Sequence, residues 1–224
     1  MYKIVAISDI HGHWNKLTIP KCDILISAGD YSHRGEKHMV QDFHRWLNKQ
    51  DATHIVSVQG NHELWVEKNF ELAKKTAQKE CPRVHFKAEG LINIDQIKLY
   101  CVSHTPYFHD WAYNRGETPE EALYYNVPYI GQHFDAIPND INVLITHGPP
   151  LGILDEVKGR EGRHLGSQKL LEAVKRVKPD LHFFGHIHTG HGEKHEDGTS
   201  FYNVAICDER NYPSQPVRVV DYEA

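Results

Sequence analysis

Cysteine is scarce and scattered in this chain. Its four residues, Cys22, Cys81, Cys101 and Cys207, form no CxxC pair, which removes a thiolate zinc site from consideration. A chain of 224 residues buries a sizeable core without covalent staples, so reduced thiols and a cytoplasmic location are expected. Cationic excess is missing too: 25 Lys and Arg stand against 30 Asp and Glu, a formal net charge of −5. Stable nucleic-acid binding, which needs Lys and Arg to neutralise phosphates, is therefore not expected. No apolar run approaches the roughly 18 residues that a membrane span requires. The opening stretch "MYKIVAISDIHGHW" has neither a leader-length apolar segment nor a small-residue cleavage site. Repeats, low-complexity tracts and Gly/Ser linkers are also absent, which favours one domain over residues 1–224.

Histidine breaks this pattern of scarcity. There are 18, dispersed rather than gathered in a tag. In "FFGHIHTGHG" (183–192) the apolar Phe183 and Phe184 give way to His186, His188 and His191. Histidine is the commonest neutral metal ligand, and on an extended chain residues two apart point to the same face. One short stretch can thus offer the imidazoles of His186 and His188 to one place.

The first half alternates short apolar runs with helical patterns. "KIVAIS" (3–8), "DILISAG" (23–29) and "HIVSVQG" (54–60) read as buried strands. Met39, Val40, Phe43, Trp46 and Leu47 form an apolar stripe at helical spacing between Gly35 and Gln50. A second helix is expected over 63–80, stopped by Cys81-Pro82. Residues 90–103 alternate as a hairpin around Asp95-Gln96, and 104–121 are aromatic-rich and irregular, a lid or substrate-side loop. A strand over 141–150 runs into His-Gly-Pro-Pro, a helix covers 166–180, and the strands "LHFFGHIH", "SFYNVAI" and "PVRVVDY" follow. Crossover helices early and mainly strands late predict an α/β fold, a two-sheet β-sandwich flanked by helices.

The strand ends carry the chemistry. The first runs into Asp9-Ile10-His11, the second into Gly29-Asp30, and the third into Gly60-Asn61-His62-Glu63. Later strands run into Thr146-His147-Gly148 and Gly185-His186-Ile187-His188. Ligands of α/β sheets bind beyond the carboxyl ends of strands. Any one of these motifs alone reads as a cap, a turn or a loop; together, in order and each at a strand end, they read as one constellation.

In that order and spacing the motifs resemble the signature of the calcineurin-like metallophosphoesterases, over Asp9 to His188. "LITHGPPLG" and "DGTSFYNVAIC" further resemble the metallophosphoesterase-domain-containing phosphodiesterase subgroup. Some animal members of that subgroup carry Gly at one histidine of the GHxH motif; this chain keeps His186. The resemblance implies that Asp9, His11, Asp30 and His188 hold one divalent metal ion. It implies that Asp30, Asn61, His147 and His186 hold a second, with Asp30 bridging. His62 is implied as a catalytic residue facing the substrate, not a ligand. Two divalent ions with two aspartates leave a bare site of about +2, which suits a phosphodiester, and two such ions can clamp the attacking and departing oxygens. A metal-bridging hydroxide is the expected nucleophile. The mixed oxygen and nitrogen donors disfavour Mg²⁺ alone and suit Mn, Fe, Zn or Ni.

The expected activity is therefore hydrolysis of small phosphodiesters, cyclic nucleotides among them. A phosphomonoesterase or Ser/Thr phosphoprotein phosphatase is the alternative, and a non-catalytic metal-binding scaffold is a third. "GDYSHRG" (29–35) echoes the GDxxDRG of protein phosphatases, but His33 stands where Asp would, and Gln59 rather than Arg precedes Gly60. Arg34, His104 and Tyr107 are candidates for substrate binding, with His109 beside them. Tyr107, Phe108, Trp111 and Tyr113 serve either to stack a nucleobase or to pack the loop. His13 and His191 flank the motifs and are candidate supports for the ligands. His38, His44, His54, His85 and His195 are expected at the surface. Oligomeric state is not legible.

Overall fold

The computed structural model describes residues 1–158 and 162–224. The apolar runs of the first half become β1 (Tyr2–Ile7), β2 (Cys22–Ala28), β3 (Ala52–Val58) and β4 (Val84–Lys87). These four pair in parallel, so each connection crosses over instead of turning back as a hairpin. A loop with one 3-10 turn (Trp14–Lys16) joins β1 to β2, α1 (Lys37–Asn48) joins β2 to β3, and α2 (Leu64–Lys68) and α3 (Phe70–Glu80) join β3 to β4. The hairpin is β5 (Glu89–Ile94) and β6 (Ile97–Val102), turning at Asp95, whose φ of +50° lies in the region that Asp tolerates. The aromatic segment holds a two-residue pair, β7 (Thr105–Pro106) with β8 (Asn114–Arg115), followed by α4 (Pro119–Tyr125) and α5 (Gly131–Asp135). Then come β9 (Val143–Thr146), α6 (Gln168–Val177), β10 (Leu181–Phe184), β11 (Gly192–Glu196), β12 (Thr199–Asn203) and β13 (Arg218–Tyr222).

Two sheets result, ordered β13-β1-β2-β3-β4 and β11-β12-β10-β9-β6-β5. Alternation along the strands decides what each face meets. Ile4, Ile24, Ile26, Val56 and Val58 face the other sheet, whose Leu99, Val143, Ile145 and Phe183 meet them. The opposite parity, Val5, Ile7, Leu25 and Ile55, packs under Val40, Phe43 and Leu47 of α1 and Ala73 and Ala77 of α3. On the far side, Tyr100, Leu144, Phe184 and Phe201 pack under Phe134 of α5 and Leu170 and Val174 of α6. The expected sandwich of two sheets flanked by helices is thus present as four layers. All four cysteines are unpaired and buried. No helix among the described residues is long and apolar enough to cross a membrane.

Four local expectations need correction. The helix expected over 63–80 is two helices, broken at Asn69 (φ −132°, ψ 37°), whose side chain caps the Trp65 carbonyl at 2.9 Å. α4 and α5 lie where no helix was expected. α4 is set by its Thr118 cap and Pro119 rather than by an apolar stripe, because Leu123 and Tyr124 are exposed. "SFYNVAI" leaves the sheet at Asn203, before its last residues. His44 is buried, not at the surface. It lies beside Phe43 on the inward face of α1, with Nδ1 on the Val40 carbonyl at 2.7 Å and Nε2 on Ser57 Oγ at 3.2 Å. His38 and His195 are exposed; His54 and His85 are half-buried.

Candidate active site

β1, β2 and β3 run parallel in one sheet, and β9 and β10 run parallel in the other, so their carboxyl ends gather at one edge of the sandwich. Beyond those ends the backbone turns sharply. Asp9, His11, Asp30 and His186 all have left-handed φ values, of +53°, +44°, +51° and +66°. Non-glycine residues held there cost on the order of 1–3 kcal/mol each, and such strain clusters at functional sites. Backbone hydrogen bonds hold the turns: the His11 N–H donates to the Asp30 carbonyl at 3.0 Å, and the His186 N–H to Asp9 Oδ2 at 2.8 Å. The His62 N–H donates to Asp30 Oδ1 at 2.8 Å. Two glycines make room for the carboxylates. A Cβ on Gly60 would lie 2.2 Å from Asp30 Oδ1, and one on Gly185 would lie 2.0 Å from Asp9 Oδ2.

Three overlapping groups of donors converge at this edge. Asp9, His11 and His188 offer atoms within 4.8 Å of one another, as do Asp30, His147 and His186, and as do His11, Asp30 and His62. Asn61 Oδ1 sits between His147 Nε2 at 2.9 Å and His186 Nδ1 at 2.8 Å. His188 Nε2 lies 3.3 Å from Asp9 Oδ1, and His147 Nε2 lies 3.3 Å from Asp30 Oδ2. The outer nitrogens are spoken for: His147 Nδ1 bonds the Ala28 carbonyl at 2.9 Å and His188 Nδ1 the Asp208 carbonyl at 2.8 Å. Each such bond fixes the ring so that Nε2 turns inward, the usual second contact of a metal-ligating imidazole. His11 Nε2 faces His188 Nε2 at 3.3 Å, an arrangement that only a proton or a cation between them makes favourable. Asp9 Oδ1 is buried without a hydrogen-bond partner among the described residues. These donors fit divalent metal ions.

The electrostatics agree. Burial alone would raise Asp9, yet the neighbouring His188 ring holds it at about 2; Asp30 is lowered likewise, chiefly by the charge of His147 acting against burial. Burial opposes protonation of His147 and His188, but the two carboxylates raise both to about 9. The site thus draws positive charge inward. His11 and His186 are instead lowered by burial to about 4 and keep neutral, ligand-competent rings.

His62 stands at the rim. Its Nδ1 bonds the His33 carbonyl at 3.0 Å, leaving Nε2 3.9 Å from Asp30 Oδ2. The Trp111 ring lies over it with centroids 4.3 Å apart, and the Ala112 N–H ties that loop to the Asn61 carbonyl at 3.0 Å. The aromatic segment therefore reaches the site through Trp111. Arg34 is exposed and lines a neighbouring cavity of about 360 Å³ with Leu64, His109, Asp110 and Trp111. The structure does not bring His104 and Tyr107 to this edge. His104 is buried against Glu89 and His133, and Tyr107 stacks on Tyr125 at 4.0 Å. His191 bonds the Ala205 carbonyl, and the His13 ring lies 6.3 Å from that of Tyr212.

Glu63 is the residue whose part the sequence hid. Fully buried, it accepts from the Asp30 N–H (2.9 Å), the Gly60 N–H (2.8 Å), the Ser32 N–H (3.2 Å) and the Ser32 hydroxyl (2.9 Å). It stitches the loops after β2 and β3 together. The only signal for it was its place directly after His62.

The pattern of the calcineurin-like phosphoesterase family matches residues 2–190. Human metallophosphoesterase domain-containing protein 1 is 30% identical over 241 residues, covering 98% of this chain and 70% of that protein. A UPF0046 protein of Caenorhabditis elegans is 31% identical over 219 residues, covering 93% of this chain and 71% of that one. Among solved structures, the phosphopantetheinyl hydrolase of Mycobacterium tuberculosis superposes with a TM-score of 0.64 at 18% identity, over 97% of this chain and 95% of that one, a likeness of fold. The family is one of divalent-metal-dependent phosphoester hydrolases, and with its pattern running through both sheets and every strand end described above, this chain belongs to the calcineurin-like phosphoesterases.

Proposed function

We propose that residues 1–224 act as one domain, a dinuclear metal-dependent phosphodiesterase of small substrates. The observation that carries this reading is the convergence of Asp9, His11 and His188 beside Asp30, His147 and His186 at one sandwich edge. Asp9, His11, Asp30 and His188 would hold one ion and Asp30, Asn61, His147 and His186 the other, with Asp30 shared. Ions so held polarise phosphoryl oxygens and lower the pKa of water to give a nucleophile at neutral pH. His62, its Nδ1–H donated to His33, presents Nε2 toward the cluster, and in its protonated form hands Nε2–H to the leaving oxygen. Trp111 packs on the His62 ring and offers an apolar wall to the departing group. The buried, unpaired cysteines support a reducing compartment such as the cytoplasm.

The cavity beside His62 supports a diester over a monoester. Its charged lining is Arg34 and Asp110, which offset each other, whereas a monoester brings close to one more negative charge at neutral pH than a diester. The test compares kcat/KM for a bis-aryl phosphate diester and the matching monoester on one Mn²⁺-loaded preparation. The diester should react faster. A monoester preference of about tenfold, about 1.4 kcal/mol in transition-state binding, would make the protein a phosphomonoesterase. Two bound ions with neither ester hydrolysed would make it a scaffold.

A further inference from the structure

A second group of ligating side chains lies away from the catalytic edge. Glu89 opens β5 at the border of the six-stranded sheet, His104 follows β6, and His133 sits on α5. Their donor atoms lie within 4.8 Å of one another, and none belongs to the clusters around Asp9 and Asp30. His104 Nε2 is 3.4 Å from Glu89 Oε2, and His133 Nδ1 is 2.7 Å from the same oxygen. The two imidazole rings overlap with centroids 3.7 Å apart.

We propose that Glu89, His104 and His133 form a separate binding site for a single divalent transition ion of the zinc type, with water completing its coordination. Two donors on one tetrahedral ion, at bonds of about 2.0–2.1 Å, stand about 3.3 Å apart. The His104–Glu89 separation already matches that edge, and the His133–Glu89 contact must open by about 0.6 Å. Two imidazoles and one carboxylate with an open position form a zinc-binding set in their own right. The His104 side chain is 7% exposed, and its Nδ1 has no hydrogen-bond partner among the described residues. The protein therefore leaves the His104 tautomer open, and Nε2 is free to present its lone pair.

The protonation states suit the role. Burial lowers His104 to about 4 in spite of its carboxylate neighbour, so the ring is neutral. Burial would raise Glu89, but the neighbouring imidazoles of His104 and His133 outweigh it and bring the group to about 2, so it is ionised. Outer contacts complete the arrangement, as they do around bound ions. The Tyr100 hydroxyl donates to Glu89 Oε1 at 3.4 Å, and the Gln132 amide meets His133 Nε2 at 3.4 Å. The nearby cation, Arg115, is engaged by Glu67 at 3.2 Å.

An ion here would join the sheet border, α5 and the root of the Trp111 segment. His104 directly precedes β7, and the pairing of β7 with β8 closes the stretch that lays Trp111 over His62.

The test titrates Zn²⁺ into the full-length, metal-stripped protein labelled with ¹⁵N and follows the imidazole nitrogens, with zinc content measured after dialysis for wild type, Glu89→Gln and His133→Gln. We expect one ring nitrogen each of His104 and His133 to move to a metal-bound shift, and each variant to hold one zinc equivalent fewer than wild type. Unmoved His104 and His133 nitrogens at saturating Zn²⁺ overturn the proposal, as does equal zinc content in all three proteins. Should a variant fail to fold, the wild-type spectra decide the matter alone.

Discussion

Replacing Glu63 by Ala removes the acceptor for three backbone N–H groups, those of Asp30, Ser32 and Gly60, and for the Ser32 hydroxyl. All lie where water does not reach, because Glu63 and Ser32 are fully buried and Asp30 is 2% exposed. Each orphaned buried donor costs about 1–3 kcal/mol, and allowing for partial relaxation the sum is about 4 kcal/mol. For a chain of this length that is a fall in Tm of about 8–16 °C. Burial and the neighbouring Asp30 charge push Glu63 up to about 8, so at neutral pH the metal-free protein holds it as the acid. With its proton on Oε1 the acid reverses the Ser32 hydroxyl contact, donating to Ser32 Oγ, while Oε2 still accepts from Asp30 and Gly60. A glutamine reproduces that pattern with its amide on the Ser32 side and gives up only the 3.2 Å contact from the Ser32 N–H. Glu63→Gln should therefore cost about 1 kcal/mol. Urea unfolding of the metal-stripped proteins at pH 7 measures both. If Glu63→Gln is as damaging as Glu63→Ala, the side chain is an ionised carboxylate and the assignment is wrong; if Glu63→Ala costs under about 1 kcal/mol, the four contacts do not hold these loops.

Asp30→Ala should lose the paired ions, since one carboxylate reaches toward both donor groups; elemental analysis that still finds two tightly held metals at this edge refutes the shared role. His62→Ala should keep both ions and lose turnover by roughly 10²–10⁴-fold, read from single-preparation kinetics and metal content; loss of metal would make His62 a ligand. Acid should destabilise the fold through His44, which burial lowers to about 4 from an ordinary 6.5. Its folded value lies below its unfolded one, so the stability it contributes is present above about pH 6.5 and is lost as pH falls toward 4. Urea midpoints at pH 7 and pH 5 should fall less for His44→Phe than for wild type, and parallel slopes would place the acid sensitivity elsewhere.

The convergence of donors at one edge was legible because those side chains sit at strand ends, where apolar runs stop and Asp, Asn or His begins. Pairing order follows from crossovers and alternation, which the residues of β1 to β3 and β9 to β10 display openly. What escaped was set by contacts between distant residues. The break at Asn69 depends on a side chain turning back to the Trp65 carbonyl, and nothing in the apolar spacing of 63–80 announces it. α4 shows no stripe because its Leu123 and Tyr124 face solvent. His44 looks like a surface residue until Ser57, on β3, arrives to satisfy it. His104 was placed with the substrate because it opens an aromatic segment. Its partners Glu89 and His133 lie fifteen and twenty-nine residues away along the chain, on a strand border and a helix of five residues that had no signature of its own.

The division of the donors between the two sheets bears on how the protein matures. Asp9, Asp30, Asn61 and His62 leave one sheet, while His147, His186 and His188 leave the other, with 177 positions separating Asp9 from His186. A nascent chain that has completed only β1 to β4 lacks His147, His186 and His188, and cannot assemble the Asp9–His11–His188 group or the Asp30–His147–His186 group. With the proposed ions bound, capture would follow docking of the two sheets, and the ions would act as a clasp across the sandwich seam. Unfolding by parting the sheets must break that clasp, so metal loading should slow unfolding far more than it speeds folding.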